Sequence, residues 1–199
     1  MGRRGRIRRY YERRLLTRRQ HFAVLDWADA ASQQARFQVL ADNVPLAGKS
    51  LLDVGCGLGD LWAFLKSRSI PTAYLGVDLV EKMAASAARL HPDGEFLCAD
   101  VFADHAFDQR RFDVVFASGA FNLDLGNNME FLPVALERLL SLAREFLVFN
   151  LLHQRAPRKY EHCAYYDPGQ VLSLLEPMPC QARLIDDYLP NDFTVICRK

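Results

Sequence analysis

A ten-residue stretch, LLDVGCGLGD at residues 51–60, limits the fold more than any other part of the chain. An apolar run ends at Asp53 and Val54, three glycines then alternate with other residues, and a helical pattern begins at Leu61. Glycine allows a tight turn and lets a ligand approach the backbone beside a helix N-terminus. A strand, a glycine turn and a helix in this order predict one βα unit of an α/β fold, with a ligand held at the turn.

The chain after residue 48 alternates short apolar runs with helical patterns. This alternation predicts a three-layer α/β/α sandwich around a mostly parallel sheet. Pro190, Asn191 and Asp192 join the last two strands, and a turn this short cannot hold a crossover helix, so the last strand is predicted to be antiparallel. The seven predicted strands span residues 50–54, 73–77, 95–98, 112–117, 146–151, 182–189 and 193–197.

Residues 1–47 are predicted to form a basic helical cap, and residues 48–199 the globular domain. Residues 1–20 hold nine arginines and one glutamate. Ile7, Tyr11 and Leu15 recur every four residues, with Leu16 beside them, which predicts a helix that packs an apolar stripe on the domain. The clustered arginines also leave open the alternative that this segment is an arm, which binds the phosphates of RNA or anionic lipid.

Two helices are predicted on other grounds. One covers residues 30–40, where Arg36 is expected at the surface. The other begins at Asn127 and Asn128, which are expected to cap it, and its apolar stripe is expected in the core.

The composition excludes several classes of protein. Half of the 199 residues are hydrophobic and a quarter are charged, which is typical of a globular domain. No apolar stretch approaches the roughly 20 residues of a membrane span. Five cysteines without a CxxC pair predict neither a disulfide framework nor a metal site, so a reducing cytoplasm is expected. The basic N-terminus leaves an organelle transit peptide open.

Carboxylates stand at the ends of three successive predicted strands, at Asp53, Asp78 and Asp100. In an open α/β sheet, ligands bind at the carboxyl ends of the strands, and a carboxylate at the end of the second strand can hold a ribose diol. A dinucleotide fingerprint would place its third glycine at position 60, where Asp60 stands, and the nearby negative charges oppose a pyrophosphate. The pattern favours a nucleoside that brings a positive or neutral group to the glycine loop.

Four segments from residue 48 onward resemble the motifs of class I S-adenosylmethionine-dependent methyltransferases: LLDVGCGLGD, LGVDLVEKM, CADVF and FDVVFASGAFN. The resemblance implies a Rossmann-like fold, with S-adenosylmethionine as methyl donor and S-adenosylhomocysteine as product. It implies that the glycine loop faces the methionine part, that Asp78 holds the ribose and that Asp100 binds the adenine. The implied cofactor-binding residues are Asp53, Gly55, Cys56, Gly57, Gly59, Asp78, Leu79, Asp100, Val101 and Ser118.

Three further segments, at residues 27–40, 165–168 and 187–195, resemble a small bacterial subgroup of that family. This second resemblance carries the fold and the donor but implies no substrate.

Candidate catalytic residues must lie near the carboxyl ends of the fourth and fifth strands, where the acceptor meets the donor. Asn122 closes the fourth motif and could orient an acceptor. His153 follows the fifth strand and is the best-placed base for an acceptor that must lose a proton. Tyr166 precedes a predicted helix cap and is expected to wall the acceptor site, with the N-terminal helices across its mouth.

The predicted function is methyl transfer from S-adenosylmethionine to a small molecule. One alternative is a tRNA or rRNA methyltransferase that uses residues 1–20 as an electrostatic arm. Another is a methyltransferase-like binding protein without turnover. The sequence predicts neither the methylated atom nor the oligomeric state.

Overall fold

Seven strands form a single sheet in a computed structural model that describes residues 2–27, 29–103 and 105–199. The strand order is β3-β2-β1-β4-β5-β7-β6, and β7 is antiparallel to both β5 and β6, which confirms the predicted antiparallel last strand. The strands are β1 (Lys49–Val54), β2 (Thr72–Asp78), β3 (Glu95–Cys98), β4 (Phe112–Ser118), β5 (Ala143–Leu152), β6 (Gln181–Ile185) and β7 (Asp192–Arg198).

Helices cover both faces of this sheet. On one face, α6 and α7 pack against the side chains of the strands, and on the other face α3 and α4 do so. The helices are α1 (Arg3–Thr17), α2 (His21–Val24), α3 (Ala30–Asn43), α4 (Asp60–Ser67), α5 (Glu81–Leu90), α6 (Asn128–Leu142) and α7 (Pro168–Leu175), with a 3-10 turn at His105–Phe107. The three-layer α/β architecture is confirmed. None of the described helices is long and apolar enough to cross a membrane.

The sixth strand is shorter than predicted, because β6 ends at Ile185 instead of continuing to residue 189. The Tyr188 hydroxyl donates to a carboxylate oxygen of Asp192 at 2.6 Å and lies 2.9 Å from the hydroxyl of Thr194. These contacts hold residues 186–191 as a loop that turns into β7.

The prediction that the side chains of Asn127 and Asn128 cap α6 is wrong. Asn127 stands at the cap position without a side-chain hydrogen bond to the helix. Asn128 lies inside the helix, where its amide group donates to the backbone oxygens of Phe121 and Leu123 and its side-chain oxygen accepts from Leu125 N. The asparagine therefore fixes the loop that follows β4.

The N-terminal helix packs on the domain as its apolar stripe predicts. Ile7, Tyr11 and Leu15 lie against a small buried cluster that includes Val80 and Met83. Leu16 is left out of this contact and is 80% exposed.

The expectation for Arg36 is wrong, because this residue is buried inside the protein at 1% exposure. Its guanidinium donates to the carboxylate of Asp192, which is fully buried at the start of β7, and to the backbone oxygen of Ser32. A charge this deep needs such a partner.

Candidate active site

The glycine loop after β1 is pressed between β2 and the N-terminal segment. The backbone N–H groups of Gly55 and Cys56 both donate to the backbone oxygen of Val77. Gly57 has a φ of +57°, and a Cβ there would lie 2.4 Å from the side chain of Leu25. The loop can therefore take this shape and this packing only with glycine at position 57.

A cavity of about 330 Å³ lies at the carboxyl ends of β1, β2 and β4. All the predicted cofactor-binding residues except Gly59 line it. Gly59 stands at the N-terminal cap of α4, and a Cβ there would press on His91 and Phe96 instead. The structure thus brings together side chains from all four motifs.

Asp78 supports the floor of this cavity. One of its oxygens accepts from Gly57 N at 2.9 Å and the other from Val80 N at 2.7 Å. Burial raises the pKa of Asp78 to about 6, although these two hydrogen bonds oppose the shift. Each carboxylate oxygen keeps a lone pair, so Asp78 can hold the glycine loop and still accept hydrogen bonds from a ribose.

Asp53 lies beneath the same loop and accepts a hydrogen bond from the hydroxyl of Tyr74 at 2.7 Å. Burial raises the pKa of Asp53 to about 7, and the charges of Asp78 and Asp60 add to the shift. Because these carboxylates are close together and shielded from water, a ligand that brings a positive charge would stabilise their ionised forms.

The raised pKa of Asp53 predicts a pH-dependent stability. Between about pH 4 and pH 7 the folded chain keeps a proton that the unfolded chain has lost, so rising pH lowers the free energy of unfolding across that window. Asp53→Asn has no carboxyl that loses a proton, so it avoids this loss of stability. Its side-chain oxygen can still accept the hydrogen bond from Tyr74. We expect the cofactor-free variant to be more stable than the wild type at pH 8, by roughly 2–4 kcal/mol.

Urea denaturation at pH 4.5 and pH 8 measures this effect, with Asp42→Asn on the exposed side of α3 as the matched control. The two proteins should differ little at pH 4.5. Equal stability of Asp53→Asn and wild type at pH 8 would contradict a raised pKa of the buried Asp53 carboxyl.

The N-terminal helix α1 forms the roof of the cavity. Arg4 makes an ion pair with Asp100, and the guanidinium of Arg8 donates to the backbone oxygen of Leu79 at 3.2 Å. Ile7 and Tyr11 also line the cavity. The helix therefore touches the residues to which the resemblance assigns the adenosine.

An aromatic wall completes the cavity on the side of Val101. The rings of Phe102 and Phe131 meet edge to face at 5.3 Å, and the guanidinium of Arg3 lies 3.8 Å from the centre of the Phe131 ring. No spacing in the sequence pairs residues 3–11 with the third motif, so the sequence does not predict this wall. It does predict N-terminal helices across the acceptor site, and α1 lines both cavities through Tyr11.

The cavity fits the nucleoside that the resemblance implies. It offers a carboxylate for a ribose at Asp78, an apolar and aromatic slot for a flat base at Val101 and Phe131, and a group of buried carboxylates where a cationic methionine part would lie. When bound, S-adenosylmethionine supplies an electrophilic methyl group on a positively charged sulfur.

A second cavity of about 280 Å³ adjoins the first, and Tyr11, Leu25, Trp27, Gly119 and Leu123 line both. Gly119 has a φ of +70°, and a Cβ there would meet the Trp27 ring at 2.5 Å. Trp27 therefore packs directly on the backbone of the fourth motif, at the boundary between the two cavities.

Asn122 lines the second cavity, as expected for a residue that orients an acceptor. Its side-chain oxygen is buried and makes no hydrogen bond to the described residues. An acceptor that donates a hydrogen bond would satisfy it.

His153 and Tyr166 do not line either of these cavities among the described residues. The Tyr166 ring lies in the core, and its hydroxyl donates to the backbone oxygen of Phe121 at 2.6 Å. His153 is buried against Phe193, and burial together with the charge of Arg155 lowers its pKa. Their catalytic roles stay predictions that this geometry does not support.

Comparisons with known proteins agree with the four motifs. Residues 51–141 match the family described as "Methyltransferase domain". The chain is 29% identical over 160 residues to "Putative methyltransferase Rv1506c" of Mycobacterium tuberculosis (strain ATCC 25618 / H37Rv), covering 75% of this chain and 93% of that protein. It is 30% identical over 161 residues to trans-aconitate 2-methyltransferase of Azoarcus sp. (strain BH72), covering 80% of this chain and 57% of that protein.

The fold has counterparts among solved structures. Magnesium protoporphyrin IX methyltransferase of Synechocystis PCC 6803, solved with bound S-adenosylhomocysteine, superposes with a TM-score of 0.72 at 15% identity, covering 98% of this chain and 99% of that chain. At this identity the likeness shows the fold alone. The family match therefore identifies residues 51–141 as a methyltransferase domain, and the sheet that carries it has the fold of the class I, Rossmann-like S-adenosylmethionine-dependent methyltransferases.

Proposed function

We infer that this methyltransferase transfers its methyl group to a small molecule that binds in the second cavity. The observation that carries the proposal is the shared boundary at Gly119 and Trp27, where an acceptor in one cavity would face a donor in the other. We propose that the residues of the cofactor cavity bind the donor. Asp78 would contact the ribose, and Asp53 would lie near the positively charged methionine part.

Alignment is the main contribution that the chain would make to the reaction. Holding two reactants in line can lower the barrier by about 7–11 kcal/mol. The α1 roof and the Trp27 side chain would exclude water from the boundary, and Asn122 would orient the acceptor through its unpaired oxygen.

The size of the second cavity and the named relatives support a small acceptor. A volume of about 280 Å³ is close to the lower end of small-molecule sites. One relative is named for trans-aconitate and one structural counterpart for magnesium protoporphyrin IX, both small molecules. We place the reaction in the cytoplasm, where the five cysteines would stay reduced.

Transfer of a labelled methyl group tests the proposal. The purified protein is incubated with S-adenosylmethionine carrying a deuterated methyl group and with a cell extract divided into small molecules, RNA and protein. We expect the label in the small-molecule fraction. Label in the RNA or protein fraction alone would contradict the proposal.

The arginines of α1 separate the small-molecule proposal from the RNA alternative. Arg4 lines the cofactor cavity, and Arg8 donates to the backbone of Leu79, which also lines it. By contrast, Arg9, Arg13 and Arg18 are exposed and make no ion pair with the described residues. We expect Arg4→Gln/Arg8→Gln to weaken S-adenosylmethionine binding in calorimetry by about tenfold, a typical loss for charge-assisted contacts.

The control variant Arg9→Gln/Arg13→Gln/Arg18→Gln removes more positive charge but leaves the roof intact, so its donor affinity should match the wild type. An RNA arm predicts a different pattern. If the full chain binds tRNA with a steep salt dependence that the triple variant abolishes, the RNA alternative displaces the small-molecule proposal.

A further inference from the structure

A histidine and a carboxylate that belong to none of the four motifs form a pair at the second cavity. The Nε2 atom of His162 lies 2.9 Å from a carboxylate oxygen of Asp26, and both residues line the cavity. The carboxylate accepts, so the proton of this hydrogen bond is on Nε2. The His162 side chain is 41% exposed, and Nδ1 has no hydrogen-bond partner among the described residues. The ring is thus held at one nitrogen and open at the other.

Backbone pairing brings His162 beside the end of the fourth motif. Residues 122–124 and 162–164 run side by side: Leu123 and Cys163 form an antiparallel bridge, the N–H of Asp124 donates to the His162 oxygen at 2.8 Å, and the N–H of Ala164 donates to the Asn122 oxygen at 2.8 Å. The histidine therefore reaches the place where the acceptor of the proposed reaction would lie.

Asp26 is held firmly by the N-terminal helix. Its carboxylate makes an ion pair with Arg14 at 2.6 Å and accepts from the Tyr10 hydroxyl at 2.5 Å. Its φ of +67° lies in the left-handed region, which a residue other than glycine adopts at a cost. Three side chains thus converge on a strained aspartate at the mouth of a cavity, an arrangement that helix packing alone does not require.

We propose that His162 is the general base of the methyl transfer, that Asp26 is its positioning residue, and that the acceptor is a phenolic hydroxyl. This inference rests on the proposed function. In the reaction, an acceptor oxygen forms a bond to the methyl carbon as the carbon–sulfur bond breaks, and the electron pair of that bond stays on sulfur. The hydroxyl proton passes to Nδ1 of His162, and the resulting imidazolium, stabilised by Asp26, returns the proton to solvent.

The chemistry of the cavity favours a phenol over other acceptors. A carboxylate is already ionised at neutral pH and needs no base, whereas imidazole is the side chain that accepts protons in that range. An ammonium acceptor would meet the positive charges of the sulfonium and of Arg158, which lines the cavity. The rings of Trp27, Tyr160 and Tyr165 line the cavity and provide flat apolar surface for an aromatic ring.

The same group of side chains could in principle hold a metal ion, since ligand atoms of Asp26, His162 and Cys163 lie within 4.8 Å of one another. Two observations argue against it. Arg14 and Tyr10 already engage the Asp26 carboxylate. Burial raises the pKa of the Cys163 thiol to about 11, and a metal needs the thiolate.

The test uses 4-hydroxybenzoate, a probe with two groups that can be methylated. Methylation of its hydroxyl gives 4-methoxybenzoate and methylation of its carboxylate gives methyl 4-hydroxybenzoate, which chromatography separates. Benzoate and trans-aconitate serve as probes that offer carboxylates alone. The variants are His162→Gln and Asp26→Asn. His105→Gln is the matched control, because His105 forms another histidine–aspartate pair, with Asp108, on the exposed surface.

We expect wild type and His105→Gln to form 4-methoxybenzoate. His162→Gln should lower kcat by about 100-fold or more, within the range for loss of a general base, with little change in KM or in donor affinity. Asp26→Asn should also act mainly on kcat.

Two readouts do not depend on turnover. In the cofactor-free chain, 15N NMR should show the His162 ring protonated at Nε2 alone above neutral pH, and this preference should weaken in Asp26→Asn. In a Trp62→Phe background, where Trp27 is the remaining tryptophan, 4-hydroxybenzoate should quench the fluorescence more strongly than benzoate.

Four results would overturn the inference. They are methylation of carboxylates alone, no methylation of 4-hydroxybenzoate although S-adenosylmethionine binds, full activity of His162→Gln, or metal analysis that finds a stoichiometric ion bound through His162. Each leaves the proposed small-molecule transfer standing. Failure of the wild type to bind S-adenosylmethionine would instead remove the proposed function itself.

Discussion

Asp78→Ala is expected to weaken S-adenosylmethionine binding by at least tenfold and by up to about 1,000-fold. Hydrogen bonds from a ribose to a charged carboxylate contribute about 1.5–3 kcal/mol, which corresponds to roughly 10- to 150-fold in affinity. The variant also leaves Gly57 N and Val80 N without their acceptor, so the glycine loop loses one of its hydrogen bonds to β2 and the loss of affinity grows.

Calorimetry with S-adenosylmethionine and S-adenosylhomocysteine measures this effect, and thermal unfolding of the cofactor-free chain shows whether the variant is folded. Asp78→Asn keeps one acceptor oxygen and should lose less affinity than the alanine variant. Asp42→Ala, on the exposed side of α3, is the matched control and should bind as the wild type does. Unchanged affinity of Asp78→Ala would mean that the ribose lies elsewhere.

Asp192→Ala is expected to destabilise the protein by about 3–5 kcal/mol. The variant leaves the buried guanidinium of Arg36 without a counter-charge, and removing one partner of a buried ion pair typically costs this much. The melting temperature should fall by roughly 6–20 °C, since each kcal/mol corresponds to about 2–4 °C in a chain of this size.

Two further variants identify the cause. Arg36→Met/Asp192→Leu removes both charges and should recover part of the lost stability. Glu145→Ala breaks the more exposed pair with Lys49 and should change the melting temperature little. If the melting temperature of Asp192→Ala stayed within a few degrees of the wild type, that result would contradict a large contribution of the buried Arg36–Asp192 pair to stability.

This ion pair also supports the active site. The Arg36 guanidinium lies 4.1 Å from the centre of the Trp27 ring, and Trp27 is the side chain that packs on Gly119 between the two cavities. Partial loss of the pair should therefore reduce methyl transfer before the chain unfolds.

The sheet and the cofactor cavity could be predicted because their signals are local. The first strand leads into the glycine loop, the second ends at Asp78 and the third ends two residues before Asp100. The length and direction of each strand therefore place its ligand-binding residues at the edge of the sheet. The antiparallel last strand followed from the short turn at residues 190–192. Each of these inferences needs only a few adjacent residues.

Apart from Asn122, the acceptor side could not be predicted, because its contacts join distant parts of the chain. Asp26 and His162 are 136 positions apart, and Arg36 and Asp192 are 156 apart. An arginine between Ala35 and Phe37 gives no sign that it will be buried against a strand near the C-terminus. Tyr166 is the opposite case, because the sequence places it at the acceptor site and the structure places it in the core. Its hydroxyl there donates to the backbone oxygen of Phe121.

A crystal structure with bound S-adenosylhomocysteine would test the central claim most directly, because it locates the sulfur relative to both cavities. We expect the ribose to contact Asp78, the adenine to lie between Val101 and the α1 roof, and the sulfur to face the boundary at Gly119 with the His162 ring beyond it. An adenosine outside the first cavity, or a sulfur directed away from Gly119, would contradict the account.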